Sequence, residues 1–293
     1  MNYRHAFHAG NHADVLKHVV LLAVCDALAA KPAPMFALDT HAGAGVYALG
    51  AEEAERTGEA QDGIARLLAA PPADPLVARY LDAVAACRAA HGTDAYPGSP
   101  WLLAHALRAQ DRIACCELRA EEAALLRRAL ADDPRVAVHA RDGYAAVDAL
   151  LPPKADGARI GRGLVLIDPP YEAQLAEFDT ALAAIRRGLT RWPQACWLLW
   201  YPIKRRSALQ PFYRAAAALD AKSALLCELL VRPDDSPLRM NGSGLLLVNA
   251  PWRIEARLQP ALESLRGALG DAPEGGSGTL GATVRLDWLR RPE

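Results

Sequence analysis

The chain has none of the sequence features of a membrane, exported or disulfide-bonded protein. No apolar run reaches the roughly 18 residues that a membrane-spanning helix needs. The first residues, Met1 to His5, lack the basic-then-apolar pattern of a signal peptide. The six cysteines include no C-x-x-C pair, and four of them lie in apolar stretches, as reduced core thiols do. We therefore expect a cytoplasmic protein without disulfides or a metal site.

The chain also has little net charge. Lys and Arg total 33 and Asp and Glu total 34, which gives a formal net charge of −1. Overall charge therefore gives no indication of a nucleic-acid partner, and any affinity for RNA must come from local basic patches. Apolar residues are plentiful: 52% of 293 residues suffice for one large α/β domain, or a domain with an insertion, around a sizeable core.

The most informative stretch is a buried strand followed by a rigid turn. Leu164 to Ile167 is apolar and partly β-branched, as in a central parallel strand, and two prolines stop the strand directly after Asp168. The sequence therefore places the Asp168 carboxylate, the Pro169 carbonyl and the ring of Tyr171 at the carboxyl end of a sheet. Open α/β sheets bind their ligands at that edge.

These groups suit the methylation of an exocyclic amino group on a planar ring. Such a nitrogen is a weak nucleophile because its lone pair is delocalised into the ring. The two acceptors, on Asp168 and Pro169, can hold its N–H groups and favour a more tetrahedral nitrogen, and Tyr171 offers a face to a base turned out of its stack. The alternative interpretation is structural, with Asp168 capping the next helix and Tyr171 in the core.

Acids and glycines follow three earlier predicted strands. The first strand ends at Asp39 and opens into the turn His41 to Gly45, whose G-x-G spacing without a third glycine disfavours NAD and a P-loop. The second strand ends at Glu117, the residue type that holds ribose hydroxyls. The third is followed by Asp142 and Gly143, which can face an adenine ring. Taken alone, the glycine turn is explained equally well as an ordinary structural turn.

The N-terminal segment is rich in histidine. Four of the eight histidines, at positions 5, 8, 12 and 18, lie near Lys17, and Asn11 is placed to cap a helix that runs to about Ala30. A metal site is disfavoured because no carboxylate or cysteine completes a recognisable ligand spacing. A capped surface helix with ordinary histidines is the simpler interpretation.

The rest of the chain predicts a Rossmann-like sheet of seven mostly parallel strands. Residues 47–96 are predicted to form a small helical insertion after the first strand, which either packs on the core or forms a wall over the substrate. The last two strands, Ser223 to Arg232 and Gly244 to Asn249, are expected to form an antiparallel hairpin at the sheet edge. Residues 1–293 are treated as a single domain, and the tail after Gly270 has no predicted role.

The order of these motifs resembles that of class I S-adenosylmethionine methyltransferases that act on amino groups. More specifically, four segments closely resemble the RlmJ family of bacterial large-subunit ribosomal RNA adenine-N6 methyltransferases: Tyr3 to His18, Leu38 to Gly45, Ala54 to Gly58 and Tyr96 to Pro100. The similarity extends to about Trp252 and is less clear in the tail.

The resemblance implies an activity and a set of site residues. The activity is transfer of a methyl group from S-adenosyl-L-methionine to the N6 amine of an adenine in 23S ribosomal RNA, and we expect a monomer. Asp168 would be the catalytic acceptor, together with Pro169 and Tyr171, while Tyr3 and Arg4 would meet the RNA. The cofactor contacts would be His18, His41, Ser99, Glu117, Asp142 and Gly143, with Lys17 beside the cofactor and Gly43 in the glycine turn.

Other functions remain open at this stage. The same chemistry can act on guanine N2, DNA adenine N6, cytosine N4, a protein glutamine or a small molecule, although an Asp at position 168 favours a nucleobase. A non-catalytic RNA-binding or cofactor-sensing protein can share the fold, but the intact Asp168, Tyr171 and Glu117 argue against it. Candidate phosphate contacts are Arg4, Lys17 and the run Lys204 to Arg206.

Overall fold

One eight-stranded sheet organises the fold in a computed structural model, which describes residues 5–51, 54, 57–155, 157–171, 174–237, 240–271 and 281–292. The twelve strands are β1 Phe36–Asp39, β2 Val46–Ala48, β3 Ala95–Pro97, β4 Arg112–Glu117, β5 Val136–Ala140, β6 Lys154–Ala155, β7 Ala158–Arg159, β8 Gly163–Ile167, β9 Cys196–Ile203, β10 Ala224–Leu230, β11 Gly242–Val248 and β12 Thr283–Arg290.

The α-helices lie mostly between the strands. They are α1 His12–Ala29, α2 Ile64–Ala69, α3 Pro75–His91, α4 Ser99–Ala106, α5 Ala120–Ala129, α6 Gly143–Leu150, α7 Gln174–Arg191, α8 Gln210–Ala217 and α9 Ile254–Leu269. Short 3-10 turns cover His5–Phe7, Glu59–Asp62 and Arg206–Leu209.

The strand order of the large sheet is β12-β10-β11-β9-β8-β1-β4-β5. The five strands β9, β8, β1, β4 and β5 are parallel. Strand β11 is antiparallel to β9, β10 is antiparallel to β11, and β12 is antiparallel to β10. From β1 the chain builds β4 and β5 on one side and later β8 and β9 on the other. The order therefore reverses beside β1, which is where an open α/β sheet binds its ligand.

Helices cover both faces of the sheet, which explains why its central strands are mostly apolar, with Asp39, Glu228 and Ser243 as buried polar exceptions. Side chains of α1, α3, α4 and α9 form the core on one face, and those of α6, α7 and α8 form the core on the other. Every residue of β1, β8, β10 and β11 is buried. A strand enclosed on both faces needs a continuous apolar run rather than an alternating one.

The predicted strand count was wrong by one, because the tail supplies an eighth strand. Thr283–Arg290 pairs antiparallel with β10, so the predicted β10–β11 hairpin exists but lies inside the sheet, covered by β12. In β12, apolar residues alternate with Arg285, Asp287 and Arg290. Such alternation is typical of a half-exposed edge strand, and its charges discourage pairing with other chains.

The segment predicted as a helical insertion leaves the sheet after β1 and returns through a short ribbon. Strands β2 and β3 pair with each other, and the described residues between them include the Glu59–Asp62 turn and helices α2 and α3. Helix α3 packs on α1 and α9. The division of the chain into one domain with an insertion stays a prediction.

Candidate active site

A cleft opens at the carboxyl ends of β1, β4, β5 and β8, on the edge where the strand order reverses. Eight of the residues predicted for the site line it: Lys17, His41, Gly43, Ser99, Glu117, Asp142, Gly143 and Asp168. Its other lining residues are Thr40, Ala42, Tyr47, Gly98, Leu118, Arg119, Glu122, Tyr144, Pro170 and Glu177.

Two glycines allow the loops of this cleft to approach each other closely. Gly43 has a φ of +60°, and a Cβ there would lie 2.0 Å from the Tyr47 hydroxyl. A Cβ at Gly143 would lie 1.9 Å from the carbonyl oxygen of Thr40. Both distances are far below contact distance, so each position requires glycine for the loops after β1 and β5 to meet.

Glu117 fixes the loop after β1 against the end of β4. One carboxylate oxygen accepts a hydrogen bond from the backbone N–H of Gly43 at 2.9 Å, and the other accepts from the N–H of Arg119 at 2.7 Å. Each oxygen keeps a further lone pair for a ligand hydroxyl. The carboxylate is therefore preorganised at the position where a ribose would lie.

Asp142, which follows β5, likewise has two roles, one in a helix cap and one in the cleft. Its side chain caps α6 by accepting from the N–H of Ala145 at 2.7 Å, and it also lines the cleft. The acid is thereby oriented by the helix that it caps.

The Asp168 carboxylate forms a buried ion pair with Lys17. The Lys17 ammonium donates to Asp168 Oδ2 at 2.5 Å and to Asp14 Oδ1 at 2.8 Å, and the Lys17 side chain is only 4% exposed. Burial lowers the pKa of Lys17, but the two carboxylates outweigh it and raise the pKa well above its ordinary value. Lys17 is therefore a permanent cation that holds one oxygen of Asp168.

The start of α1 positions this lysine. Asn11 caps the helix, as predicted, and accepts from the N–H groups of Ala13 and Asp14 at 3.0 and 2.9 Å. Asp14 Oδ2 in turn accepts from the N–H of Gly10 at 2.9 Å. The first turn of α1 is thus fixed by polar contacts on both sides, and Lys17 follows in the next turn.

Burial shifts the pKa of two further titratable groups, Asp39 behind the cleft and His41 in its lining. Burial raises the pKa of Asp39 to about 7, against the opposing effect of the Ser99 hydroxyl, and Asp39 Oδ2 has no hydrogen-bond partner among the described residues. Burial lowers the pKa of His41 to about 4, so its imidazole is neutral near pH 7. His41 Nδ1 lies 2.8 Å from the Thr40 hydroxyl, which donates to the carbonyl of Leu166.

Sequence reasoning missed a polar pair that crosses the mouth of the cleft. The Tyr144 hydroxyl donates to Glu177 Oε1 at 2.5 Å, and the Tyr144 ring meets His41 edge-on at 5.0 Å between centroids. Tyr144 directly follows Gly143, but Glu177 lies on α7, six residues beyond Tyr171. The adjacency of Tyr144 to the glycine was an available signal, whereas nothing in the sequence marked Glu177.

Three predicted site residues do not line the cleft. The Tyr171 hydroxyl donates to the Trp200 carbonyl at 2.8 Å, and its ring packs on Phe178, so the ring lies in the core and offers no stacking face. His18 is fully buried, with Nδ1 at 3.1 Å from the Tyr96 hydroxyl. Pro169 is not part of the lining, which includes the next residue, Pro170.

The predicted RNA contacts have different surroundings. Tyr3 and Arg4 lie outside the described residues. Lys204 and Arg205 are exposed, but Arg206 donates to the buried Glu228 at 2.9 Å and is therefore part of the core of the sheet edge.

The cleft suits a cationic ligand that carries ribose hydroxyls. Its lining includes five carboxylates, on Glu117, Glu122, Asp142, Asp168 and Glu177, against two cations, on Lys17 and Arg119. Hydroxyl groups fit the free lone pairs of Glu117, a flat ring fits beside Leu118 and Asp142, and a sulfonium fits near the buried carboxylates. The residues present therefore fit S-adenosylmethionine.

The described part of the chain holds no group of three or more side chains that could bind a metal ion, and its six cysteines are buried and form no disulfide. None of its helices is long and apolar enough to cross a bilayer.

Comparison with known proteins agrees with this geometry. The family model described as RsmJ, "Ribosomal RNA large subunit methyltransferase D, RlmJ", matches residues 32–283. Proteins named "Ribosomal RNA large subunit methyltransferase J" from Haemophilus influenzae and Escherichia coli are each 38% identical; the first match covers 96% of this chain and 98% of the relative, the second 99% of each. The crystal structure of protein LPL1258 from Legionella pneumophila superposes with a TM-score of 0.82 at 29% identity, over 96% of this chain and 98% of that one.

These findings confirm the family that the sequence motifs indicated, and the Rossmann-like α/β class with it. They also confirm the expected cofactor, S-adenosylmethionine. The chain therefore belongs to the RlmJ family of large-subunit ribosomal RNA methyltransferases.

Proposed function

We propose that the protein methylates the N6 amine of an adenine in 23S ribosomal RNA, with Asp168 as the acceptor that orients the amine. The observation that carries the proposal is the position of Asp168, at the mouth of an acidic cleft, with Oδ2 held by Lys17. The cofactor supplies an electrophilic methyl group when bound. The chain's own residues hold the cofactor, orient the amine and exclude water.

Lys17 orients the Asp168 carboxylate, and Asp168 orients the amine of the base. Because Lys17 engages Oδ2, the carboxylate cannot rotate freely, and Oδ1 is the oxygen that remains for an N–H of the base. The Pro169 carbonyl is the proposed second acceptor: Pro169 is not part of the cleft lining, but it lies between two residues that are, Asp168 and Pro170, and the two prolines fix its backbone. An amine held at both N–H groups turns its lone pair out of the ring plane, toward the methyl donor. As the amine nitrogen takes the methyl group, the methyl C–S bond of the donor would break, and the surplus N–H proton would pass to Asp168 Oδ1 and from there to water.

The cofactor would be held mainly by residues from three loops, those after β1, β4 and β5. Glu117 accepts hydrogen bonds from the ribose hydroxyls, and Asp142 faces the adenine amine. The glycine turn at Gly43 lets the cofactor approach the backbone closely. His41 is neutral and adds no charge repulsion against a sulfonium, while Lys17 is neutralised by its two carboxylates.

The target base is proposed to stack at a different place from the Tyr171 ring that the sequence indicated. With the Tyr171 ring packed in the core, we propose that Tyr171 supports the Asp168 turn through its bond to Trp200 and its φ of +45°. The Tyr144–Glu177 pair and Pro170, which line the cleft, are then the groups that meet the target base.

The setting is proposed on similar grounds. Six buried, unpaired cysteines suit the reducing cytoplasm, where ribosomal RNA is made. We propose that the protein acts there as a monomer, with Tyr3 and Arg4 as the RNA-facing start of the chain.

Asp168→Ala tests the proposed role directly. It removes an acceptor needed in the transition state but no contact to the cofactor, so we expect methyl transfer to ribosomal RNA to fall by at least ~10²-fold with little change in cofactor affinity. Labelled-methyl transfer and calorimetry give the two quantities. Glu117→Ala is the matched control, because it should weaken cofactor binding by about 1–3 kcal/mol instead. A drop of only a few-fold in Asp168→Ala would rule out the orienting role.

A further inference from the structure

An exposed tryptophan lies on the edge of the sheet opposite the cleft. Trp252 is 77% exposed, in the loop between β11 and α9. Because β11 runs antiparallel to β9, with Val248 paired to Trp197, this loop lies at the amino ends of the parallel strands. Asp168 follows Ile167, which pairs with Leu199 of β9, so Asp168 lies toward the carboxyl ends of the parallel strands and the Trp252 loop at the other edge of the sheet.

The loop that carries Trp252 is held rigidly. The Asn249 side chain donates to the carbonyls of Pro193 and Ala195 at 2.9 and 3.0 Å and accepts from the N–H of Lys222 at 2.9 Å. Arg253, directly after the tryptophan, has a φ of +55°. A long side chain in this conformation carries strain, which persists only where the surrounding structure enforces it and which clusters at functional sites.

One cation lies against the ring, and others lie nearby on the surface. The Arg253 guanidinium lies 5.8 Å from the Trp252 ring centroid, and Lys222 lines the same depression. Arg290 bonds to the carbonyl of Ala221, which brings it beside Lys222, and Arg291 follows it on the surface. Of the acids close to these residues in sequence, Asp287 pairs with Arg285 at 2.7 Å, which leaves Asp220 and Glu255 against four cations although the whole chain has a net charge of −1.

The depression also contains an acceptor without a partner. Glu255 lines it together with Trp252 and Trp288, and the buried Oε2 atom of Glu255 has no hydrogen-bond partner among the described residues. A buried carboxylate oxygen without a donor is costly, so it suits a ligand that brings an N–H group. The exocyclic amine of a nucleobase is such a group.

We propose that this Trp252 site (Lys222, Trp252, Arg253, Glu255 and Trp288) is a second RNA-binding site, which takes an unpaired nucleotide of the ribosomal RNA substrate. The base stacks on Trp252 and donates its amine to Glu255, while Arg253 and Lys222 contact the flanking phosphates. The identity of the RNA rests on the proposed function. Stacking, cations and an unpaired acceptor together favour a nucleotide over a protein partner, whose docking surface would need a broader apolar area.

The first test measures RNA binding without cofactor or turnover. Anisotropy of a labelled, mixed-sequence, single-stranded RNA of 12 nucleotides gives Kd for the full chain and its variants. We expect Trp252→Ala to raise Kd at least ~5-fold, as loss of one stacked base does. Arg253→Gly should raise Kd and lower the salt slope by about one, and its melting temperature should not fall, since glycine adopts a φ of +55° freely.

One variant serves as the control. Leu68→Ala removes another exposed apolar side chain, far from the Trp252 site, and should bind the 12-nucleotide RNA as the unmodified chain does. With full-length 23S ribosomal RNA as methyl acceptor, Trp252→Ala should raise KM and leave kcat unchanged.

Two results would overturn the Trp252 site. One is an unchanged Kd in Trp252→Ala, and the other is a change of mass in sedimentation without RNA, which would assign this face to a second copy of the chain. The failure of the proposed function looks different: the unmodified chain would transfer no methyl group to ribosomal RNA, while the difference in Kd between the chain and Trp252→Ala would persist.

Discussion

At the residue scale, the central arrangement is a buried cation between two carboxylates. Lys17 contacts Asp14 and Asp168, and the exposed fractions of the three side chains are 4%, 3% and 13%. Removing one partner of such a group leaves a charge uncompensated, which costs far more than the net gain of the intact pair. Stability and catalysis are therefore coupled at Lys17, and a single variant cannot separate them.

A pair of variants can separate the effect of Lys17 on stability from its effect on catalysis. We expect Lys17→Met to lower the free energy of unfolding by roughly 3–5 kcal/mol, because two buried carboxylates lose their cation. The double variant Lys17→Met, Asp168→Asn should recover much of this loss but transfer no methyl group. Denaturant unfolding and labelled-methyl transfer measure the two effects. A double variant no more stable than Lys17→Met would contradict the ion-pair account.

Histidine titration provides a second prediction at this scale. Burial, and then the nearby Arg232, lower the pKa of His12 to about 4, below the unfolded value of 6.5. Between these values the unfolded chain binds the proton, so stability rises with pH and is lost as pH falls from about 6.5 to 4. His41 acts in the same direction. Asp39, whose raised pKa is about 7, acts in the opposite one, favouring the folded state at low pH.

Replacement of His12 shows how much of the pH dependence of stability comes from this residue. In His12→Gln, the loss of unfolding free energy between pH 7 and pH 4 should be smaller than in the unmodified chain, by up to about 3 kcal/mol. Chemical denaturation at a series of pH values measures this slope. Parallel stability curves for the two proteins would show that His12 keeps an ordinary pKa.

At the scale of elements, helix α1 connects the N-terminal segment to the reaction. Its cap at Asn11 fixes the first turn, and Lys17 reaches Asp168 from the next. The cap and the helix follow directly from the sequence, because an Asn before an apolar periodic run is a strong local signal. The pairing of Lys17 with Asp168 does not follow, since 151 residues separate them and only the fold brings them together.

Loss of this cap should affect both stability and activity. We expect Asn11→Ala to cost about 1 kcal/mol of unfolding free energy and to slow methyl transfer as Lys17 loses its fixed position. Asp74→Ala is the matched control, because Asp74 caps α3 in the same way, with bonds to Leu76 and Val77, but α3 carries no residue of the cleft. Equal activities of the two variants would remove α1 from the mechanism.

The same contrast explains which parts of the site were predictable. Acids and glycines at strand ends, such as Glu117 and Gly143, follow from local pattern because parallel strands deliver their carboxyl ends to one edge. Tyr171 was assigned to the cleft by its place in the motif, but its backbone turns at φ +45° and sends the ring into the core. Glu177 entered the site through helix packing, which no local pattern encodes.

At the scale of the whole molecule, the sheet separates two surfaces with different chemistry. The cleft at the carboxyl edge is rich in carboxylates and suits a cationic cofactor, whereas the Trp252 site at the opposite edge is aromatic and basic. The tail completes the second surface, because β12 pairs with the β10–β11 hairpin and places Trp288 in the Trp252 site. The sequence analysis missed this strand because a Gly- and Pro-rich stretch separates the tail from the rest of the chain. A chain of near-zero net charge can thus bind RNA locally.

The central claim is that the chain methylates adenine N6 in 23S ribosomal RNA through Asp168. Its most direct test is nucleoside mass spectrometry of 23S ribosomal RNA from cells lacking the gene, after incubation with the protein and cofactor carrying a heavy methyl group. The account predicts heavy N6-methyladenosine with the unmodified chain and at least ~10²-fold less with Asp168→Ala. Heavy label in methylguanosine or methylcytidine, or equal N6-methyladenosine with both proteins, would contradict it.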